Sequence, residues 1–129
     1  MKQKISVLGA GSWGNTLAII LSQKYDVSMW EFDKNVAETL QKDRENKKLL
    51  NGHKFPESLS VTNSLEESVK DAIAVVFAVP SFALRALCEN SKGYITEKMV
   101  LISVIKGLED ETFLSMTQII DSVIPKKRG

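Results

Sequence analysis

Lys4-Ile5-Ser6-Val7-Leu8-Gly9-Ala10-Gly11-Ser12-Trp13-Gly14-Asn15 decides the fold. A short apolar run meets three glycines at G-x-G-x-x-G spacing, and a segment with helical periodicity follows. Gly9 lets the chain turn sharply out of a strand. Gly11 has no side chain to hold a pyrophosphate away from the backbone, and Gly14 lets the next helix pack closely on the sheet. The N-terminus of that helix, with its free N–H groups and positive dipole end, favours an anion without any basic side chain. Glycines in this pattern also mark ordinary turns, so their neighbours carry the inference.

Those neighbours fit a dinucleotide site. Lys4–Leu8 reads as a strand, and Leu17, Ile20, Leu21 and Lys24 recur at helical spacing over residues 15–24. A second strand, Val27-Ser28-Met29-Trp30, ends at Glu31, within the roughly 20-residue distance at which a carboxylate reaches a dinucleotide's ribose hydroxyls.

Further along, strand and helix signals keep alternating, the mark of a parallel sheet covered by helices on both faces. A helix is expected over residues 35–44, then a polar loop over 45–58 that holds the single histidine, His53, away from the strand ends. Leu59–Thr62 reads as a short strand, and residues 63–67 as a capped helix start. The apolar run Ile73–Val79 reads as a central strand buried on both faces and Met99–Val104 as the next buried strand, with a helix over residues 82–89 between them. Residues 110–123 read as a last helix, with Phe113, Met116 and Ile120 on one face, stopped by Pro125. The fold class is therefore α/β: a doubly wound, mostly parallel, Rossmann-like sheet in three layers, with strand order 3-2-1-4-5. Ligands of such sheets bind outside the carboxyl ends of the strands, where the order reverses. That edge collects residues 9–14, 31–33, 79–82 and 105–107.

The 129 residues suffice for one domain with a core and are too few for two ordinary ones, so residues 1–129 read as one dinucleotide-binding domain. With 17 basic and 16 acidic residues, there is no general electrostatic case for nucleic acid or an anionic membrane as partner. The basic run Lys126-Lys127-Arg128 reads as a solvated tail. No stretch reaches the ~20 apolar residues a membrane span needs, Met1–Lys4 leads straight into a strand without a cleavage signal, and no metal-ligating pattern occurs. The single cysteine, Cys88, shares a helical face with Leu84 and Leu87 and suits a core position in a reducing, cytoplasmic setting.

Four strings together carry a resemblance: Val7-Leu8-Gly9-Ala10-Gly11-Ser12-Trp13-Gly14, Asp43-Arg44-Glu45-Asn46, Phe77-Ala78-Val79-Pro80-Ser81 with Ala83-Leu84-Arg85, and Ile105-Lys106-Gly107-Leu108-Glu109. They span most of the chain, which resembles the N-terminal domain of NAD(P)-dependent glycerol-3-phosphate dehydrogenase. The resemblance implies an oxidoreductase that interconverts sn-glycerol 3-phosphate and dihydroxyacetone phosphate, feeds glycerophospholipid synthesis, and works as a cytoplasmic homodimer when full length. It implies that Ser12 and Trp13 touch the cofactor at the phosphate turn, and that Lys106 lies near both nicotinamide and substrate. No general base is expected in this chain, because the family's lysine base belongs to a helical C-terminal domain absent here. On that expectation the chain is a cofactor-binding part without turnover of its own.

Two departures from the family pattern bear on the site. Bacterial members often carry an arginine after strand two, where it meets the 2′-phosphate of NADP; here Glu31-Phe32-Asp33 stands instead, which favours NAD, with NADP still possible, and offers Phe32 to the adenine. Leu49 replaces a tyrosine frequent after the Arg-Glu-Asn string. Trp13 also suits a helix residue packed on the sheet, and Lys106 a solvated residue ahead of a turn. Two other functions compete: the cofactor domain of another hydroxy-acid or hydroxyacyl dehydrogenase, and a non-catalytic NAD-sensing module.

Overall fold

Five parallel strands in the order β3-β2-β1-β4-β5 form the sheet of the computed structural model, which describes residues 2–124. The strands are β1 (Lys4–Leu8), β2 (Asp26–Trp30), β3 (Leu59–Thr62), β4 (Ala74–Phe77) and β5 (Val100–Ser103). The helices are α1 (Ser12–Leu21), α2 (Lys34–Asp43), α3 (Leu65–Val69), α4 (Leu84–Ser91) and α5 (Met116–Val123). The expected strand order is the observed one. β1 lies at the centre, with Val7 opposite Met29 on one side and Val76 on the other.

Burial on both faces explains why β1 and β4 are near-continuous apolar runs. On one face Val7, Val27, Met29, Val61 and Val76 pack under Ala18 of α1 and Leu40 of α2. On the other, Leu8, Val75 and Phe77 meet Val69, Leu84, Leu87, Cys88 and Ile119 of α3, α4 and α5. Cys88 is fully buried as expected, and burial pushes its thiol pKa up to about 12, so it behaves as an apolar filler.

The structure corrects two expectations. β5 is not buried on both faces: Val100, Ile102 and Val104 are 59%, 41% and 37% exposed, while Leu101 between them packs into the second core. The cause is position. β5 is an edge strand, while α1 and α2 lie over β1, β2 and β3, toward the other edge of the sheet. The last helix begins at Met116, not at Asp110. Ser115 caps it, accepting from the Gln118 amide at 3.2 Å while the Gln118 side chain accepts from the Ser115 amide at 2.8 Å. Upstream, Glu111 and Phe113 have φ of 69° and 57°, incompatible with a helix, and Phe113 is 73% exposed. Pro125 and the basic run 126–128 lie outside the described residues.

Candidate functional site

The three glycines do three different jobs. Gly9 leaves β1 with φ of +130°, donates its amide to the Trp30 carbonyl at 3.0 Å, and lies so close to the end of β4 that a Cβ would fall 2.7 Å from the Ala78 carbonyl carbon. At Gly14 a Cβ would fall 2.9 Å from the Gly9 carbonyl carbon, so α1 could not approach β1. Gly11 answers neither need. Its φ of −77° and ψ of −171° suit any residue, and a Cβ there would meet nothing within 4 Å. What its missing side chain preserves is open space against the backbone.

Asn15 holds this turn in shape. Fully buried in α1, it donates from Nδ2 to the carbonyls of Ala10 at 2.6 Å and Gly11 at 2.9 Å, and its Oδ1 has no partner among the described residues. Both carbonyls are thereby engaged inward. The first-turn amides of α1 lack intrahelical partners, as at any helix start.

Beside the turn opens a cleft of about 690 Å³, a size suited to a cofactor, with Gly9, Gly11, Glu31, Phe32, Asn46 and Pro80 among its walls. Glu31 stands at the end of β2, and its Oε2 accepts the Asp33 amide at 2.7 Å. Burial raises its carboxyl above the ordinary range, against the lowering effect of that bond. Asn63, from beyond β3, donates to the carbonyls of Glu31 (2.8 Å) and Phe32 (2.7 Å) and so fixes the lip that carries Phe32, which is 76% exposed. The neighbouring Asp33 carboxylate is committed elsewhere: it caps α2, accepting from Asn35 at 2.9 Å and Val36 at 3.2 Å. Glu31 is thus the carboxylate that β2 presents to the cleft.

The polar loop takes part, contrary to the expectation that it lies away from the strand ends. Asn46, Lys47, Lys48 and Leu49 line the same cleft as the glycines. The loop is anchored rather than loose. Arg44, at φ of 59°, donates to the carbonyls of Pro56 (3.0 Å) and Leu59 (2.6 Å), and buried Glu45 pairs with Lys54 at 2.7 Å and accepts the Gly52 amide at 3.1 Å. The Lys54 ammonium holds the Glu45 carboxyl below its usual range. His53 is exposed and is not part of the cleft wall.

Of the residues singled out by sequence, Gly9, Gly11, Glu31 and Phe32 share the cleft wall. Ser12, Trp13 and Gly14 form the adjoining first turn of α1, and Trp13 is 68% exposed, not packed on the sheet. Lys106 is exposed beside Gly107, whose φ is +108°, in the turn after β5. That turn lies at the carboxyl edge of the sheet and outside the cleft wall. Asn15, Asn63 and Asn46 were not singled out as site residues. Asn46 stood in the Asp43–Asn46 string without a site role, and Asn15 left a trace as a polar residue near the start of an otherwise apolar helix face.

Comparison with known proteins agrees with this arrangement. Residues 4–128 match the family described as NAD-dependent glycerol-3-phosphate dehydrogenase N-terminus. A glycerol-3-phosphate dehydrogenase [NAD(P)+] of Fusobacterium nucleatum is 40% identical over 125 residues, which cover 96% of this chain and 37% of that protein. One from Chlorobium limicola is 42% identical over 125 residues, 96% of this chain and 38% of its own. The crystal structure of glycerol-3-phosphate dehydrogenase from Coxiella burnetii superposes with a TM-score of 0.89 at 29% identity, over 95% of this chain and 38% of that one. The chain thus spans well under half the length of these relatives. No described helix is long and apolar enough to cross a membrane. With a match over nearly every residue and a sheet that superposes on a solved member, the chain belongs to the NAD-dependent glycerol-3-phosphate dehydrogenase family, in the part that forms the N-terminus.

Proposed function

We propose that this domain binds a nicotinamide dinucleotide, NAD in preference to NADP, and presents it to glycerol 3-phosphate or dihydroxyacetone phosphate in a full-length, homodimeric, cytoplasmic dehydrogenase. The observation that carries the reading is Gly11, a glycine demanded neither by its backbone angles nor by its packing, at the mouth of a helix N-terminus. A pyrophosphate needs that space and those amides.

When bound, the dinucleotide supplies hydride exchange with the substrate carbon. The chain's own residues do the rest. The turn 9–14 takes the pyrophosphate, with Ser12 and Trp13 at its outer side. The half-buried Glu31 carboxylate accepts hydrogen bonds from free ribose hydroxyls and repels a 2′-phosphate. Phe32 offers an apolar face to the adenine. Lys106 holds its ammonium toward the substrate oxygen, where it stabilises developing alkoxide charge. The base that moves the substrate proton is assigned to the domain that completes the protein.

Calorimetric titration of the full-length protein with NADH and NADPH tests this, with NADH expected to bind at least about tenfold tighter. Glu31→Gln is expected to narrow the gap. Because burial raises the Glu31 carboxyl, the preference also weakens as pH falls through that raised value, where the group becomes neutral. Equal affinities in the unaltered protein at neutral pH would overturn the role given to Glu31. One observation favours a second reading in which NADP is accepted as well: Lys47 and Lys48 line the same cleft and could offset Glu31.

A further inference from the structure

Lys106 sits in an irregular stretch without helix or strand, residues 104–115, between β5 and α5. Its N-terminal side is tied to the sheet, where the Val104 amide donates to the Phe77 carbonyl at 3.2 Å. What ties the other side is Glu109. Its amide donates to the Leu114 carbonyl at 2.8 Å and its carbonyl accepts the Phe113 amide at 2.9 Å, closing a loop that the Leu108–Ser115 bridge completes. Its carboxylate takes a two-pronged bond from Arg85, Nε to Oε2 and a terminal guanidinium nitrogen to Oε1, both at 2.7 Å, and Oε1 also accepts the Thr112 hydroxyl at 2.6 Å.

Arg85 stands in the first turn of α4, directly after the Pro80–Ala83 turn that leaves β4. The fork therefore joins the two neighbouring strand-end turns that flank the site, one with Pro80 in the cleft wall and the other carrying Lys106. A planar guanidinium on a carboxylate fixes direction as well as distance, which a single lysine–carboxylate contact does not. Glu109 is held far below the usual carboxylate range, at about 2, first by Arg85 and then by Thr112, so both partners stay charged throughout the neutral range.

We propose that Arg85 and Glu109 are a positioning pair: by locking the turn after β5 to the start of α4, they set where the Lys106 ammonium stands relative to the cofactor cleft. The inference rests on the role given to Lys106 above. A lysine on an irregular, solvent-exposed turn has no other fixed geometry, and a misplacement of about 1 Å in a reacting group costs up to about a hundredfold in rate.

The test is a cycle in the full-length enzyme, following dihydroxyacetone phosphate reduction by NADH. Glu109→Gln, Arg85→Ala and Lys106→Ala are each expected to lower kcat by at least about tenfold, with NADH affinity within about twofold of the unaltered protein. Lys106→Ala combined with Glu109→Gln is expected to be no slower than Lys106→Ala alone, because the pair acts only through the lysine. Multiplicative losses would overturn the proposal and leave the pair a plain structural contact. Full activity of Glu109→Gln beside an impaired Lys106→Ala would overturn it while keeping Lys106 in the site; full activity of Lys106→Ala would remove both. Arg85→Lys, which keeps the charge and loses the fork, gives a milder change should Arg85→Ala fold poorly, and is expected to lower kcat and speed hydrogen exchange at the amides of residues 106–109. Unchanged exchange there with unchanged kcat would also overturn the pairing.

Discussion

Gly11 and Gly14 lie three positions apart, and the structure gives them opposite sensitivities. Gly14→Ala drives a methyl group into the Gly9 carbonyl and is expected to cost about 1–3 kcal/mol of stability, seen as a lower denaturation midpoint. Gly11→Ala meets only open space, and the small loss at the start of α1 is offset by a stiffer unfolded chain. Its stability is expected to change by under about 1 kcal/mol while NADH affinity falls at least about tenfold in a titration. Parallel losses of stability and binding in both variants would show that Gly11 also serves packing. The glycines were legible in sequence because their spacing is a local pattern. The roles of Asn63 and Glu109 were not, as each acts on backbone or side chains chosen by the fold: Asn63 reaches Glu31 across 32 positions and Glu109 reaches Arg85 across 24. No local periodicity encodes such pairs.

The elements differ in how strongly their ends are written. β1, α1 and β2 follow from an apolar run, a glycine turn and a second apolar run, and they fall within a few residues of expectation. α5 does not, because Phe113, Met116 and Ile120 keep a helical spacing that continues past the true start. The Ser115-x-x-Gln118 box is the real signal, two orphan amides satisfied reciprocally, and it outweighs one aromatic residue in phase. Ser115→Ala is expected to cost about 0.5–2 kcal/mol and to raise hydrogen exchange in the first turn of α5. A midpoint unchanged within error would mean the irregular residues upstream, not the cap, define that end. The cap of α2 is of wider consequence, since Asp33 is spent on Asn35 and Val36 and leaves Glu31 to face the cleft.

Across the whole molecule the two faces of the sheet are unequally covered. Apolar composition predicts a strand at 99–104 but says nothing about how many neighbours that strand has, which is why its exposure was not legible. Val100, Ile102 and Val104 form an apolar strip along an edge strand, and exposed strand edges template association between sheets. The 129-residue chain by itself is expected to self-associate at high concentration, and Ile102→Lys to shift it toward monomer in sedimentation while leaving the secondary-structure signal unchanged. A chain that stays monomeric at all concentrations would show the strip to be harmless. The division of labour among the glycines has a different reach. In a descendant that no longer needed its ligand, Gly9 and Gly14 would still be required for the sheet and helix to close, whereas position 11 would be free to drift. Its occupant is the one letter of the motif that separates a working site from a scaffold that merely remembers one.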